Sequence, residues 1–322
     1  MAWLFRSALL LICGVSLAAC GASDFAKPVT AFSDTTTQAA TSFKNSRESV
    51  EKFANERRLR LLAEGGMLQP ATLDKDCVAG AHQCRLVINK SGVKKPAIVA
   101  LNNLQRLMDE LDAYARGLTD IVKADTTSDV NKATDALKSN LTGLSQHADE
   151  LAKQHNVNVS FARATPFISP AADAANYVIS KALEAQKIAA LRQATSDMED
   201  MFPTLAKVFD AVNTAARIDQ MDQINAAFKK AQAAYLTNRN EANGEAYMRA
   251  AAAYHAALNS NPKNVFEALR EAHTTLAQSL KSPNPSFTDL WAYLQKATEE
   301  ANKLAEINKA FQNARATASK QS

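Results

Sequence analysis

Two cysteines, Cys77 and Cys84, lie in LDKDCVAGAHQCRLVI, separated by six residues that include Gly80 and His82. Thiols at this spacing serve as a disulfide that ties a short loop, as a redox-active pair, or as half of a metal site. A metal site would need further ligands at a regular spacing, and none accompanies His82 in the sequence. A loop containing Gly80 closes easily, and the bridge contributes about 2.5 kcal/mol by the loop-entropy relation. The expectation is a disulfide between Cys77 and Cys84.

The other reactive groups give weaker signals. The histidines outside that loop are His147, His155, His255 and His273. A di-iron bundle needs paired Glu-x-x-His motifs. Here the order is reversed once, at His147 and Glu150, where an exposed polar helix face accounts for both. Glu199 and Asp200 are adjacent carboxylates, and neighbours on a helix diverge by about 100°, so they cannot grip one bond or ion together. Glu199 is therefore expected on a solvated face, with Met198, Met201 and Phe202 beside it in the core. His-Glu-x-x-His, Gly-x-Ser-x-Gly and Gly-rich phosphate loops are absent. No catalytic, cofactor-binding or metal-binding residue is expected, and the chain reads as a non-enzyme.

The chain opens MAWLFRSALLLICGVSLAACG, with Arg6 as its only charge and an apolar stretch over 7–17. That stretch is too short to span a hydrocarbon layer about 30 Å thick. A basic start, a short apolar core and small residues before a break describe a secretory signal peptide. Leu17-Ala18-Ala19-Cys20-Gly21 at its end resembles the lipobox of bacterial lipoproteins. The resemblance implies cleavage before Cys20, lipidation of its sulfur and acylation of the new amino group. Gly21 rather than Asp after the cysteine implies sorting to the outer membrane, with the body on the periplasmic side. Two or more acyl chains hold stably where one binds only marginally. A disulfide persists in that compartment.

The elements that position these residues are helices. Only nine glycines and nine prolines occur in 322 residues, and apolar residues recur at helical spacing almost throughout. Val29, Phe32, Thr36, Ala39, Phe43, Ser46, Val50 and Phe53 trace one stripe. Pro28 suits the first position of that helix, and Gly65-Gly66 its end. The stripe predicts packing within the chain, with self-association as the alternative. CRLVI is a strand candidate within 77–92. A helix follows from Pro96 with Leu101, Leu104, Met108, Leu111, Ala115, Leu118 and Val122 on one face. The next, capped near Ser128, carries Val130, Ala133, Leu137, Leu141, Leu144, Ala148 and Leu151. Later helices are expected from about 178, near 220–237, 244–259, 264–281 and 287–316, with Pro203 kinking or dividing the first of them.

The expected architecture is all-α, an elongated antiparallel helical bundle with one disulfide-tied loop. The expected division is a signal peptide at 1–19, a lipidated tether at 20–27, an N-terminal helical subdomain at 28–156, a linker at 157–170 and a C-terminal subdomain at 171–322. A net charge of +4 over this length is close to neutral, far from the concentrated positive charge of a nucleic-acid binder. The leading functional expectation is a lipoprotein anchored through Cys20 that presents a helical surface to an envelope protein, an effector or its own copies. The alternatives are an envelope enzyme acting on cell-wall or lipid substrates, and a carrier of hydrophobic ligands.

Overall fold

The computed structural model describes residues 22–64, 96–159 and 179–318. Among these the chain is all-α. Seven helices follow in order: α1 Ala22–Glu64, α2 Pro96–Lys123, α3 Thr127–Gln154, α4 Ile179–Thr237, α5 Glu241–Asn259, α6 Pro262–Lys281 and α7 Thr288–Ala318. Cys20, Cys77, Cys84, the CRLVI strand candidate and most of the expected linker lie outside the described residues. No described helix is long and apolar enough to cross a membrane.

Local chemistry sets several of the helix ends. The Thr126 side chain caps α3 by accepting from the Asp129 N–H, and its hydroxyl donates to the Asp129 carboxylate at 2.7 Å. Asn240 and Asn261 cap α5 and α6, and Pro262 occupies the first position of α6, where its missing N–H is not needed. Helix α3 ends at Gln154, and Asn156 beyond its cap has a left-handed φ of 54°. The Val157 N–H then reaches back to the Ala152 carbonyl at 2.8 Å, closing the helix as a Schellman-type stop.

Two helices depart from the sequence expectation. Helix α1 starts at Ala22, six residues ahead of Pro28, so Pro28 lies inside it. Ala22 and Phe25 extend the apolar stripe by another turn, and Phe25 packs edge-on against Phe287 at 5.5 Å. That burial outweighs the hydrogen bond lost at Pro28, and residues 22–27 are helical rather than an extended tether. Helix α4 is continuous through Pro203 and includes the separate helix expected near 220–237. An interior proline costs about 3 kcal/mol or more. Here contacts to α6 on both sides offset it: Glu199 with His273, Phe202 with Phe266, and Asp210 with Lys263.

Paired residues fix the relative directions of the helices. Thr37 meets Asp112 and Arg47 meets Asn102, so α2 runs opposite to α1. Asn140 meets the Ala113 carbonyl and His147 meets Glu110, so α3 runs opposite to α2. Helix α6 likewise opposes α4. Helices α1 and α7 run in the same sense, through Phe25 with Phe287 and Gln38 with Asn302. So do α1 and α4, through Ser23 with Glu184 and Phe43 with Phe209. The short connection at 124–126 makes α2 and α3 opposed neighbours.

One cluster of buried residues, from Phe25 to Leu304, draws on both expected subdomains, which therefore share a core. The α1 stripe from Val29 to Val50 is buried in it, so those residues serve packing within the chain. The apolar faces read for α2 and α3 are buried almost residue for residue. Helices α2 and α3 approach closely at Gly117, where an added Cβ would stand 2.6 Å from Leu137 Cδ1 and 3.4 Å from Leu137 Cβ. Leu137 is fully buried and has nowhere to swing. Gly117→Ala should therefore lose about 1–2 kcal/mol in urea unfolding, because overpacking exceeds the gain in helix propensity. A stabilised variant would contradict this packing.

Candidate functional site

Among the described residues, one buried constellation joins acid, base and hydroxyl groups from three helices. Glu199 comes from α4, His273 and Thr274 from α6, and Tyr114 from α2. The Glu199 carboxylate oxygen Oε1 lies 3.0 Å from His273 Nδ1 and accepts from the Thr274 hydroxyl at 2.8 Å. On the other side of the ring, His273 Nε2 is 2.7 Å from the Tyr114 hydroxyl. Tyr114 Oη also stands 3.4 Å from the Ala194 carbonyl. The rings of Phe202, at 4.9 Å, and Phe32, at 5.8 Å, cover the imidazole.

The electrostatics define one protonation pattern. Burial holds His273 below its ordinary value of 6.5, and the neighbouring Glu199 recovers only part of that shift. Partial burial works against the Glu199 carboxylate, but hydrogen bonds from His273 and Thr274 overcome it and hold Glu199 below 4.5. Burial, with the charges of Glu199 and Asp197, pushes the Tyr114 phenol well above 10. The ring is therefore neutral, with Nδ1–H donating to Glu199 and Nε2 accepting the Tyr114 proton.

Acid, imidazole and hydroxyl stand in the order of a nucleophile-activating triad. Tyr114 and His273, however, have no exposed surface. No substrate atom reaches Tyr114 Oη without opening the core, so the arrangement works as a lock. A one-turn slip of α2, α4 or α6 would strand buried polar groups, which are costly when unpaired. Glu199 thus corrects the expectation of a solvated face: it is 27 % exposed and its carboxylate is engaged. His147 corrects the companion expectation, being buried with Nδ1 3.1 Å from Glu110, which also binds Arg106. Both partners lie on other helices, tens of residues away, and no local spacing records them. Met198, Met201 and Phe202 are core, as read. No group of three His, Cys, Asp or Glu residues is arranged to hold a metal among the described residues.

The lock makes stability depend on pH. A histidine held below its unfolded value binds its proton less readily when native, so its contribution is complete above about pH 6.5 and declines as pH falls. Glu199, held below 4.5, adds to the loss at lower pH. Urea midpoints should fall between pH 7 and pH 5, and a His273→Gln variant should show a flatter profile over that range. Equal slopes for the two proteins would assign the effect to other groups.

A second feature is open to solvent. A groove of about 610 Å³ runs between α5 and α7, lined by Met248, Ala251, Ala252, His255, Ala256, Asn259, Lys303 and Glu306. Its lining combines Met248 and three alanines with the polar side chains of His255, Asn259, Lys303 and Glu306. Met248 is 67 % exposed, and Leu236, Ile218 and Leu258 nearby along α4 and α5 are each more than half exposed. Helix α5 is held on α4 by stacked rings, Phe228 with Tyr254 at 5.4 Å and Tyr235 with Tyr247 at 5.9 Å. By contrast, the enclosed cavity lined by Leu107, Leu111, Leu144, Leu205, Phe209 and Phe266 measures only about 10 Å³, no more than about one water molecule. No protein-family profile, curated protein or solved structure matches this chain.

Proposed function

We propose that this chain is a lipoprotein of the outer membrane, anchored through acylated Cys20 with its elongated, largely antiparallel bundle on the periplasmic side, and that its role is non-catalytic binding. In this reading a disulfide between Cys77 and Cys84 ties the loop between α1 and α2. The surface it offers a protein partner is the α5–α7 groove with the adjoining exposed face of α4.

One observation carries the reading. Four of the exposed large apolar side chains, Ile218, Leu236, Met248 and Leu258, lie on the C-terminal part of α4 and on α5. The chain enters at the opposite end, where Ser23 N–H meets Glu184 Oε2. From Glu184 to Thr237, α4 extends about 80 Å at 1.5 Å per residue. Scattered exposed apolar residues need no explanation, but four on adjoining helices, with Met248 lining the groove, suit a protein interface.

The anchor is tested by Cys20→Ala in the native host. The wild-type chain should fractionate with the outer membrane and carry a diacylglyceryl-modified Cys20 by intact mass, while the variant should be wholly soluble or retain its leader. A bare sulfur on the wild-type protein would overturn the anchor. Photocrosslinking residues at Met248 and Leu258 in intact cells should trap one defined protein, and equivalent probes at Lys138 and Asp149 on α3 should not.

A further inference from the structure

We infer that the end of the molecule where α1, α4 and α7 begin rests on the phospholipid headgroup layer, with Trp291 in that layer, so that the body stands end-on to the bilayer. The inference rests on the proposed acylation of Cys20. Only Gly21 separates Cys20 from Ala22, and Ala22 is already buried in the folded body at 1 % exposure. Two Cα steps reach at most about 8 Å. The acylated sulfur and the start of α1 are therefore inseparable, and the surface around that start faces the lipid at high effective concentration.

That surface has the chemistry of a membrane interface. Trp291, in the first turn of α7, is 38 % exposed, and the Lys27 ammonium of α1 lies 5.6 Å from its ring centroid. Lys27 is five residues from Ala22, so the ring stands close to the anchoring point. Tryptophan favours the headgroup region because its ring is apolar while its N–H still needs a partner. Lysine beside it keeps its stem on the ring and its ammonium among phosphates. Lys27, Lys123, Lys181 and Lys281 at this end are matched by Asp24, Asp125, Glu184 and Asp289. The contact is accordingly apolar and interfacial rather than a polybasic attraction, and it should survive salt.

Trp3 falls within the leader, which makes Trp291 the one tryptophan of the mature chain. The test uses full-length lipidated protein in vesicles of phosphatidylethanolamine and phosphatidylglycerol. Relative to soluble Cys20→Ala protein, Trp291 emission should shift to the blue and iodide quenching should drop about threefold, as expected for headgroup-level indole. Lipids brominated near the headgroup should quench roughly half of the emission, unchanged in 0.5 M salt at about 4 Å screening length. A second reporter, Leu236→Trp in a Trp291→Phe background, should stay open to iodide and untouched by brominated lipid. Protein that floats with vesicles yet leaves Trp291 as open to iodide as the soluble form overturns the inference and leaves the anchor standing. Quenching of both reporters by brominated lipid means the body lies flat, which also overturns it. Failure to float at all removes the anchor and this inference together.

Discussion

His273→Ala should lower the unfolding free energy by about 3–5 kcal/mol, among the largest losses available to a single substitution in this chain. The side chain is fully buried, and its removal leaves a hole under Phe32 and Phe202. It also deprives two groups of their best partner at once. The Tyr114 hydroxyl retains only the Ala194 carbonyl at 3.4 Å, a long contact. Glu199 keeps Thr274 but loses the donor opposite, so its partly buried charge is less compensated. Tyr114→Phe removes a single hydroxyl and should cost only about 1–2 kcal/mol. Urea unfolding with an unchanged m-value reads both. A His273→Ala loss no larger than that of Tyr114→Phe would show that the network does not hold α2, α4 and α6 together.

Phe209→Ala should cost a similar amount, about 3–5 kcal/mol, through packing alone. Phe209 is buried on α4, stacked on Phe266 of α6 with centroids 4.5 Å apart and planes 16° off parallel. It meets Phe43 of α1 edge-on at 5.9 Å. One ring thus joins three helices. It also borders the enclosed cavity of about 10 Å³, so truncation enlarges an existing void that rigid neighbours cannot fill. A double-mutant cycle with Phe266 should return a coupling of about 0.5–1.5 kcal/mol. Met248→Ala, on an exposed face, should change stability by about 0.5 kcal/mol or less. Equal losses at Phe209 and Met248 would contradict the assignment of core and surface.

These two residues illustrate what a sequence records. Leu104, Met108, Leu111 and Leu118 on α2, and Leu137, Leu141 and Leu144 on α3, announce their burial by spacing, because a helix in contact with a core needs one apolar face. Helix starts are read only to within a few residues: the α3 cap is expected near Ser128, and Thr126 supplies it by accepting from the Asp129 N–H. Pro28 and Pro203 were misleading for the opposite reason. A proline states a local cost, and whether the helix continues depends on packing against residues far along the chain, such as Phe287 for α1 and Phe266 for α4.

The sequence by itself determined that the chain is helical and which faces of α2 and α3 are apolar, because those properties act within a few residues. It also holds the Leu17-Ala18-Ala19-Cys20-Gly21 stretch that resembles a lipobox, a pattern read linearly. Only the tertiary structure decided that Glu199, His273 and Tyr114 meet, that His147 is buried against Glu110, and that α1, α4 and α7 begin at one end. Glu199 and His273 are 74 residues apart in the chain and Tyr114 and His273 are 159. Periodicity tells a helix which side to bury, and the choice of neighbour falls to the packing of the whole core.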